Sequence, residues 1–169
     1  MADNTRNRRA KPLAWSPSGE FIASGTGARI QIWDLRNEQI PEKQLRAFGT
    51  SEDLGRPAAL TTLSWSPGGD RLVAGDYGGG LNVWNPGTGA HLGRTRAHTH
   101  FLYTVNWSPD GTLILSAGDR RLRIWSPEMG SNEKLLADLK ADGSMTSDAA
   151  GGIVCLERKP DTDNASVSL

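Results

Sequence analysis

The sequence predicts an all-β fold built from several copies of one small antiparallel sheet. Short stretches in which apolar and polar residues alternate predict strands with two distinct faces. Turn sequences rich in Gly, Pro, Asp and Ser separate these stretches, and 20 of the 169 residues are glycine. All six tryptophans fall on one repeated pattern. Together these features indicate one unit that occurs three times.

The clearest copy of the unit lies between Ala97 and Pro127. Its Ser-Pro-Asp-Gly segment at 108–111 is typical of a turn, because Pro presets φ and Gly accepts a positive φ. A meander of this size forms a sheet that cannot bury both of its faces alone. The predicted strands are Leu102–Trp107, Thr112–Ser116 and Leu122–Trp125, with an outer strand near Lys134–Leu139.

Two further copies lie upstream, at Leu13–Asp34 and Leu63–Asn85. Pro12 cannot donate to a strand ladder, so the first strand of the first copy is expected to begin at Leu13. A surface insertion at 51–57 explains why the first repeat is longer than the second. The predicted strands of the first copy are Leu13–Ser16, Phe21–Ser24, Ile30–Asp34 and Gln44–Phe48, and those of the second are Ala59–Ser66, Arg71–Gly75, Leu81–Trp84 and His91–Arg96.

The tryptophans define the period of the repeat. The first tryptophans of the copies, Trp15, Trp65 and Trp107, are 50 and 42 residues apart. A period near 40 with four short strands is typical of propeller blades. With its W-S-P-x-G turn, its small-residue strand and its hydrophobic-x-hydrophobic-Trp strand, the chain closely resembles the WD-repeat β-propeller family.

The resemblance implies a partial propeller of three to four blades. Three clear blades are expected at about 12–50, 59–97 and 98–140, followed by a degenerate partial fourth blade at 141–158. In this last stretch, 152–156 is the expected strand, and neither the W-S-P turn nor a third-strand tryptophan is present. Residues 1–11 are expected to be a flexible basic N-terminus and 159–169 a disordered tail.

The resemblance also implies a buried hydrogen-bonded tetrad in blade three, formed by His98, Ser116, Asp119 and Trp125. A buried Trp needs a partner for its N–H, and a buried His needs an acceptor such as a carboxylate. The first two blades depart from the pattern, so we expect packing to be the main interaction that holds them. Arg6 and Arg56 take the His positions, Gly27 and Gly78 take the Asp positions, and only Ser24 with Trp33, or Trp84 alone, is retained.

Two chemical alternatives use the same residues of blade three. His98, Ser116 and Asp119 are the residue types of a catalytic triad, but their spacing matches the tetrad and no oxyanion-hole motif accompanies them. His98 and His100 could form a metal pair, but no third ligand or Cys cluster is near in sequence. The sequence therefore predicts no enzyme, no metal site and no cofactor.

The resemblance also implies a rim of loops near the central channel, and this rim is the expected binding surface. Aromatic and Arg side chains are the types that dominate binding hot spots. Two interpretations of Phe101 and Tyr103 remain open, since these rings either contact a partner or pack against a neighbouring blade. The candidate rim residues are Arg9, Lys11, Tyr77, Phe101, Tyr103, Arg120 and Arg121.

Composition restricts the partners. Nineteen basic and 19 acidic residues give zero net charge, which argues against broad nucleic-acid binding. No apolar run reaches the length of a membrane helix, and the N-terminus lacks the apolar segment of a signal peptide. Cys155 is the only cysteine, which suggests a reducing, cytoplasmic location.

The sequence thus predicts a non-catalytic scaffold that binds a protein or peptide. An alternative is a split or truncated propeller that is completed by a homodimer or by another propeller chain. A third hypothesis, an enzyme with a site in the channel, would require convergent titratable groups that the sequence does not show.

Overall fold

The computed structural model describes residues 11–36, 44–49, 59–128, 135–140, 144–147 and 153–156, with 44–49, 144–147 and 153–156 described as backbone. Every regular element in these ranges is a β-strand, which confirms the all-β prediction. Three four-stranded antiparallel sheets, here called blades one to three, are followed by a two-stranded hairpin. The predicted insertion at 51–57, the N-terminal residues 1–10 and the tail from 159 lie outside the described residues.

Each blade is a simple meander in which strands that are consecutive in sequence are neighbours. Blade one contains β1 (Leu13–Trp15), β2 (Phe21–Thr26), β3 (Arg29–Asp34) and β4 (Gln44–Gly49). Blade two contains β5 (Leu60–Trp65), β6 (Leu72–Asp76), β7 (Gly80–Trp84) and β8 (His91–Arg96). Blade three contains β9 (Leu102–Trp107), β10 (Ile114–Gly118), β11 (Arg121–Trp125) and β12 (Leu135–Lys140), and the hairpin contains β13 (Ser144–Ser147) and β14 (Ile153–Leu156).

The strand ends mostly differ from the predictions by one or two residues, and β10 shows why. It begins at Ile114 and not at Thr112. The Thr112 N–H and hydroxyl both donate to the Asp110 carboxylate, at 3.0 and 2.8 Å, so this residue belongs to the turn. Alternation alone cannot reveal such a side-chain contact, which competes with the strand ladder.

The repeated Trp-Ser-Pro turn has the same geometry in all three blades. Its serine hydroxyl accepts a hydrogen bond from the backbone N–H five residues later, at 3.0, 3.0 and 2.9 Å. Its glycine has a φ of 72°, 74° or 72°, a conformation that favours Gly over residues with a Cβ. The serines are Ser16, Ser66 and Ser108, and the glycines are Gly19, Gly69 and Gly111.

Each blade has a front face, which carries the tryptophans of its first and third strands, and an opposite back face. The blades stack front to back in chain order. The front face of blade two packs Trp65, Leu72 and Trp84 against Ile30 and Ile32 on the back face of blade one. The front face of blade three packs against the back face of blade two in the same way, through Val105, Trp107, Ile114 and Trp125 on one side and Val73, Leu81 and Val83 on the other.

The inner strands lie side by side along this stack. Strand β5 contacts β1, β9 contacts β5, and the hairpin strand β13 contacts β9. The indole Nε1 of Trp65 donates to the Ala14 carbonyl of blade one at 3.1 Å, so a polar contact crosses the first interface. At Gly75 a Cβ would come within 2.7 Å of the Leu102 Cβ, which shows how closely blades two and three approach.

Candidate functional site

The loop between β8 and β9 carries the buried His98, which is 1% exposed. The His98 N–H donates to the Gly79 carbonyl at 3.0 Å, which ties this loop to the β6–β7 turn of blade two. The His98 ring lies above blade three, beside Gly118 at the end of β10. The loop thereby joins blades two and three at one end of their interface.

The structure brings the four predicted tetrad residues into one chain of hydrogen bonds. The His98 Nδ1 lies 2.6 Å from the Asp119 Oδ1, and the His98 Nε2 lies 2.8 Å from the Ser116 Oγ. The Trp125 Nε1 donates to the same Ser116 Oγ at 2.9 Å. Asp119 also accepts hydrogen bonds from the Thr99 N–H and hydroxyl, both at 2.9 Å.

The environment sets the protonation states of His98 and Asp119 in this series of hydrogen bonds. Burial lowers the pKa of His98, and the opposing hydrogen bond that its ring donates to Asp119 does not cancel that effect. Burial raises the pKa of Asp119, but hydrogen bonds from Thr99 and His98 outweigh it and lower the pKa to about 2. A neutral His98 then donates from Nδ1 to the Asp119 carboxylate and accepts at Nε2 from the Ser116 hydroxyl.

The order Asp119, His98, Ser116 has the hydrogen-bond pattern of a nucleophilic triad, but the serine is inaccessible. Ser116 is 0% exposed, and its oxygen is held between the His98 ring and the Trp125 indole. A substrate carbonyl must approach a nucleophile to near contact distance for acyl transfer. The geometry therefore favours a structural role for these residues.

Blade one retains part of the tetrad, and blade two has a different cluster of polar residues. In blade one the Trp33 Nε1 donates to the Ser24 Oγ at 2.9 Å. In blade two the buried Asp76 accepts from the Gly78 and Gly80 N–H groups, both at 2.8 Å, and its Oδ2 lies 3.5 Å from the Arg94 Nη2. Blade two therefore has a buried carboxylate paired with a half-buried arginine, in addition to the packing that was expected mainly to hold it.

Asp76 was not predicted from the sequence, because the family pattern has its Asp at a different position. Gly78 occupies the Asp position of the family pattern, but the carboxylate lies two residues earlier, at the end of β6. An Asp directly before a glycine-rich turn was the available signal, since Asp accepts hydrogen bonds from backbone N–H groups in turns. The partner Arg94 lies on β8 and could not be assigned from sequence.

His98 and His100, which were considered above as an alternative metal pair, have other contacts. Both ring nitrogens of His98 are within hydrogen-bond distance of other partners, and the His100 Nδ1 lies 3.0 Å from the Thr99 Oγ1. No group of three His, Cys, Asp or Glu side chains that could hold a metal occurs among the described residues.

A cleft of about 570 Å³ lies at the N-terminal ends of the inner strands β1, β5 and β9. All three blades contribute to it, and we call it the aromatic cleft. Blade one supplies Lys11 and Pro12 before β1, and blade two supplies Leu60 at the start of β5. Tyr77 from the β6–β7 turn and the segment around Phe101, Leu102 and Tyr103 complete its lining.

Three aromatic rings form a continuous group in this cleft. The ring centroids of Tyr77 and Phe101 are 5.5 Å apart, and those of Phe101 and Tyr103 are 4.7 Å apart with an edge-on arrangement. Phe101 is 36% exposed and Tyr103 is 55% exposed. The two interpretations of these rings are thus compatible, because the rings bridge blades two and three and still present a surface to solvent.

Arg120 and Arg121, two arginines of the predicted rim, do not line the aromatic cleft. Arg121 pairs with Asp138 on β12, with the Arg121 Nη1 3.0 Å from the Asp138 Oδ1, and it does not line the aromatic cleft. Arg120 is exposed in the β10–β11 turn, where its φ is 59°. Arg9 lies outside the described residues, as do Arg6 and Arg56.

No helix long and apolar enough to cross a membrane occurs in the described part of the chain.

Comparison with known proteins identifies several relatives. The chain is 28% identical over 128 residues to the human F-box-like/WD repeat-containing protein TBL1Y, which covers 69% of this chain and 24% of that protein. It is 24% identical over 171 residues to the protein transport protein sec31 of Aspergillus fumigatus, covering 98% of this chain and 13% of that protein. It is 26% identical over 145 residues to the protein hir1 of Schizosaccharomyces pombe, covering 79% of this chain and 16% of that protein.

This chain spans at most about a quarter of the length of these relatives. The family model described as "WD domain, G-beta repeat" (WD40) matches residues 13–34, 52–85 and 89–126, one match for each blade and more than half of the chain. With its three stacked four-stranded meanders and these three matches, the chain belongs to the WD40 family.

Proposed function

We propose that the chain is a non-catalytic WD-repeat scaffold that binds a protein or peptide in the aromatic cleft. The observation that carries this proposal is the exposed pair Phe101 and Tyr103, held in contact with Tyr77 at a cleft lined by all three blades. Rigid aromatic side chains lose little conformational entropy on binding and dominate many hot spots. Lys11 adds a positive charge beside them.

Binding at the cleft is tested by capture of partners from cell lysate. Phe101→Ala and Tyr103→Ala should each reduce capture of a specific partner by roughly fivefold or more, because truncating a hot-spot residue costs over about 1 kcal/mol. Leu136→Ala is the matched control, since Leu136 is also a large, exposed hydrophobic residue but lies on β12. Equal capture by all variants would contradict the assignment of the cleft.

The non-catalytic part of the proposal depends on the buried state of Ser116. Ser116→Ala should reduce stability, because it removes the acceptor of the Trp125 indole N–H, and it should leave any measured activity otherwise unchanged. A serine-directed covalent probe should fail to label Ser116 in the folded protein. Labelling at this residue would show an accessible nucleophile and contradict the proposal.

A second candidate function is supported by the open front face of blade one. Leu13 and Trp15 on this face are 68% and 64% exposed, although the corresponding faces of blades two and three are buried. We propose that the chain completes a larger propeller, either as a dimer of six to eight blades or together with another propeller chain. A well-behaved 18.2 kDa monomer that melts cooperatively and binds no apolar dye would contradict this function.

We also propose a cytoplasmic location and no direct nucleic-acid or membrane partner. The balanced charge and the single cysteine support this proposal. Cell fractionation and a nucleic-acid binding assay at low salt test it, and stable binding to duplex DNA or RNA would contradict it.

A further inference from the structure

The charged side chains of the three blades are distributed unequally between the two ends of the strands. We call the end that holds the aromatic cleft the cleft end, and it comprises the starts of the first and third strands of each blade and the ends of the second and fourth. Exposed cationic side chains lie at this end, and none of them forms an ion pair with another described residue. They are Lys11, Arg29, Arg96, Arg120 and Lys140.

The carboxylates at the cleft end already have partners. Asp76 is 1% exposed and pairs with Arg94, and Asp119 is held by the tetrad. The Asp138 carboxylate lies 3.0 and 3.2 Å from the guanidinium groups of two arginines on β11. Within the described part of the chain, these carboxylates therefore do not neutralise the exposed cations.

Acidic side chains predominate at the opposite end of the strands. The arginines at that end lie beside carboxylates, with the Arg36 Nη2 2.7 Å from the Asp34 Oδ2 and the Arg71 Nε 3.9 Å from the Asp70 Oδ2. In the described residues the cleft end is thus positive and the opposite end negative. The exposed acids of the opposite end are Glu20, Asp70, Asp110 and Glu128.

We propose that the ligand of the aromatic cleft is an acidic peptide, an extended segment with an apolar side chain in the cleft and carboxylates on either side of it. The inference rests on the scaffold function proposed above and names the chemical class of its ligand. Among the described residues that line the cleft, Lys11 is charged and none is acidic. Carboxylates beside Lys11 complement its charge, whereas a basic peptide would bring like charges together.

The lining of the cleft explains why an apolar residue accompanies the carboxylates. Besides the exposed rings of Phe101 and Tyr103, the cleft is lined by Pro12, Leu60 and Leu102. A carboxylate placed against this apolar surface would lose its hydration without gaining a hydrogen bond. The cleft therefore takes the apolar side chain, and the acidic residues of the ligand lie towards the cations around it.

The positions of the cations favour separate carboxylates over a phosphate group or a nucleic acid. Arg29 begins β3 of blade one, Arg96 ends β8 of blade two, and Arg120 lies in the β10–β11 turn of blade three. A single phosphate is typically bound by a cluster of arginines, and a nucleic acid by a protein with a basic excess. Cations on three different blades instead suit carboxylates spaced along one extended peptide.

The first experiment compares three fluorescently labelled peptide pools on the wild-type protein. The pools share the same apolar positions and carry glutamate, glutamine or lysine at the others. The glutamate pool should bind at least about fivefold more tightly than the glutamine pool, and the lysine pool most weakly. This preference should shrink as NaCl is raised from about 0.05 to about 0.5 M, because salt screens exposed charges. Equal binding of the pools, binding of none, or a preference for lysine would overturn the proposal.

The second experiment tests the position of the charge. Lys11→Glu should weaken binding of the glutamate pool about fivefold and strengthen binding of the lysine pool. Glu20→Lys is the matched control, because Glu20 is exposed at the opposite end, and it should change neither affinity. The double variant has the net charge of the wild type but should bind like Lys11→Glu.

Circular dichroism verifies that each variant is folded, and the salt dependence of the wild type requires no variant. If the double variant bound the glutamate pool as the wild type does, the response would follow net charge and the assignment to the cleft end would be wrong. Displacement of the glutamate pool by duplex DNA or RNA would indicate a general polyanion surface and would contradict the peptide ligand.

The outcomes also separate this inference from the scaffold function. If Phe101→Ala reduced the capture of a partner but the peptide pools bound equally, binding at the cleft would stand and the acidic class would be wrong. If the glutamate pool bound best but Phe101→Ala changed neither its affinity nor partner capture, the cleft would not be the site, and both proposals would fail.

Discussion

His98 is a buried base whose protonation state is set by its neighbours. Desolvation favours the neutral ring, and the ionised Asp119 orients it by accepting from Nδ1. The turn that presents Asp119 is strained, because Asp119 and Arg120 have φ values of 41° and 59° without being glycine. Such a conformation persists when the hydrogen bonds around it compensate for its cost, here those from His98 and Thr99.

We expect Asp119→Ala to reduce the free energy of unfolding by roughly 1–3 kcal/mol, because it leaves the buried His98 N–H without its acceptor. Denaturant midpoints measure the change. Glu20→Ala is the control, since Glu20 is exposed and its loss should change stability by less than about 0.5 kcal/mol. A neutral Asp119→Ala would show that the tetrad does not stabilise blade three.

Stability should decrease in acid, with His98 acting first. Because burial lowers the pKa of His98 in the folded protein, the unfolded chain binds this proton more readily as pH falls below about 6.5. The pKa of Asp119 is lowered to about 2, so its contribution is lost between about pH 4 and pH 2. The stability difference between wild type and His98→Asn should therefore shrink between about pH 7 and pH 5, and a difference that grows would contradict the neutral assignment.

At the scale of the element, the turns determine how closely two blades can approach. Gly79, in the β6–β7 turn, has a φ of 80°. A Cβ at this position would collide with the backbone carbonyl oxygens of His98 and His100. Gly79 therefore serves both the turn and the contact between blade two and the β8–β9 loop.

Gly79→Ala should cost roughly 2–4 kcal/mol, because the backbone strain and a collision with main-chain atoms occur together. Gly19→Ala is a matched control. Gly19 also has a positive φ, of 72°, but no atom lies within 4 Å of the Cβ that it would gain. It should cost only about 1–2 kcal/mol, the strain alone, and equal losses measured by thermal unfolding would contradict the interblade contact.

At the scale of the whole molecule, the chain is a stack of similar blades whose two ends differ. Each interior interface joins a tryptophan face to an aliphatic face, and these two clusters form the core. Within the described residues, no other blade covers the front face of blade one, and Leu13 and Trp15 are exposed to solvent. Equivalent residues in different blades are therefore buried only where another blade packs against them.

Trp65→Ala and Trp15→Ala should therefore differ strongly in a protein dilute enough to be monomeric. Removal of Trp65 should cost roughly 3–5 kcal/mol, because it empties the interface between blades one and two and also removes a hydrogen bond to Ala14. Removal of the exposed Trp15 should cost less than about 0.5 kcal/mol. Chemical denaturation measures both, and a large cost for Trp15→Ala in the monomer would show that its face is already covered.

Local chemistry was sufficient to predict the strands and turns of the blades. Alternation predicted the strands, and the Ser and Gly of each Trp-Ser-Pro turn closed the hairpins, because these interactions join residues only a few positions apart. The tetrad was inferred from the family spacing and its four members do meet in space. Of the predicted rim residues, Tyr77, Phe101 and Tyr103 line the aromatic cleft, whereas Arg120 and Arg121 do not.

Only the tertiary structure decided which surfaces these residues face. The pairing of Asp76 with Arg94 required the position of β8, and the aromatic cleft required Lys11 to lie near Phe101, about 90 residues later in the chain. Trp15, Trp65 and Trp107 stand in the same local motif and are indistinguishable by sequence pattern. Their burial differs because burial depends on a neighbouring blade, and the packing of one sheet on another is a property of the assembled stack.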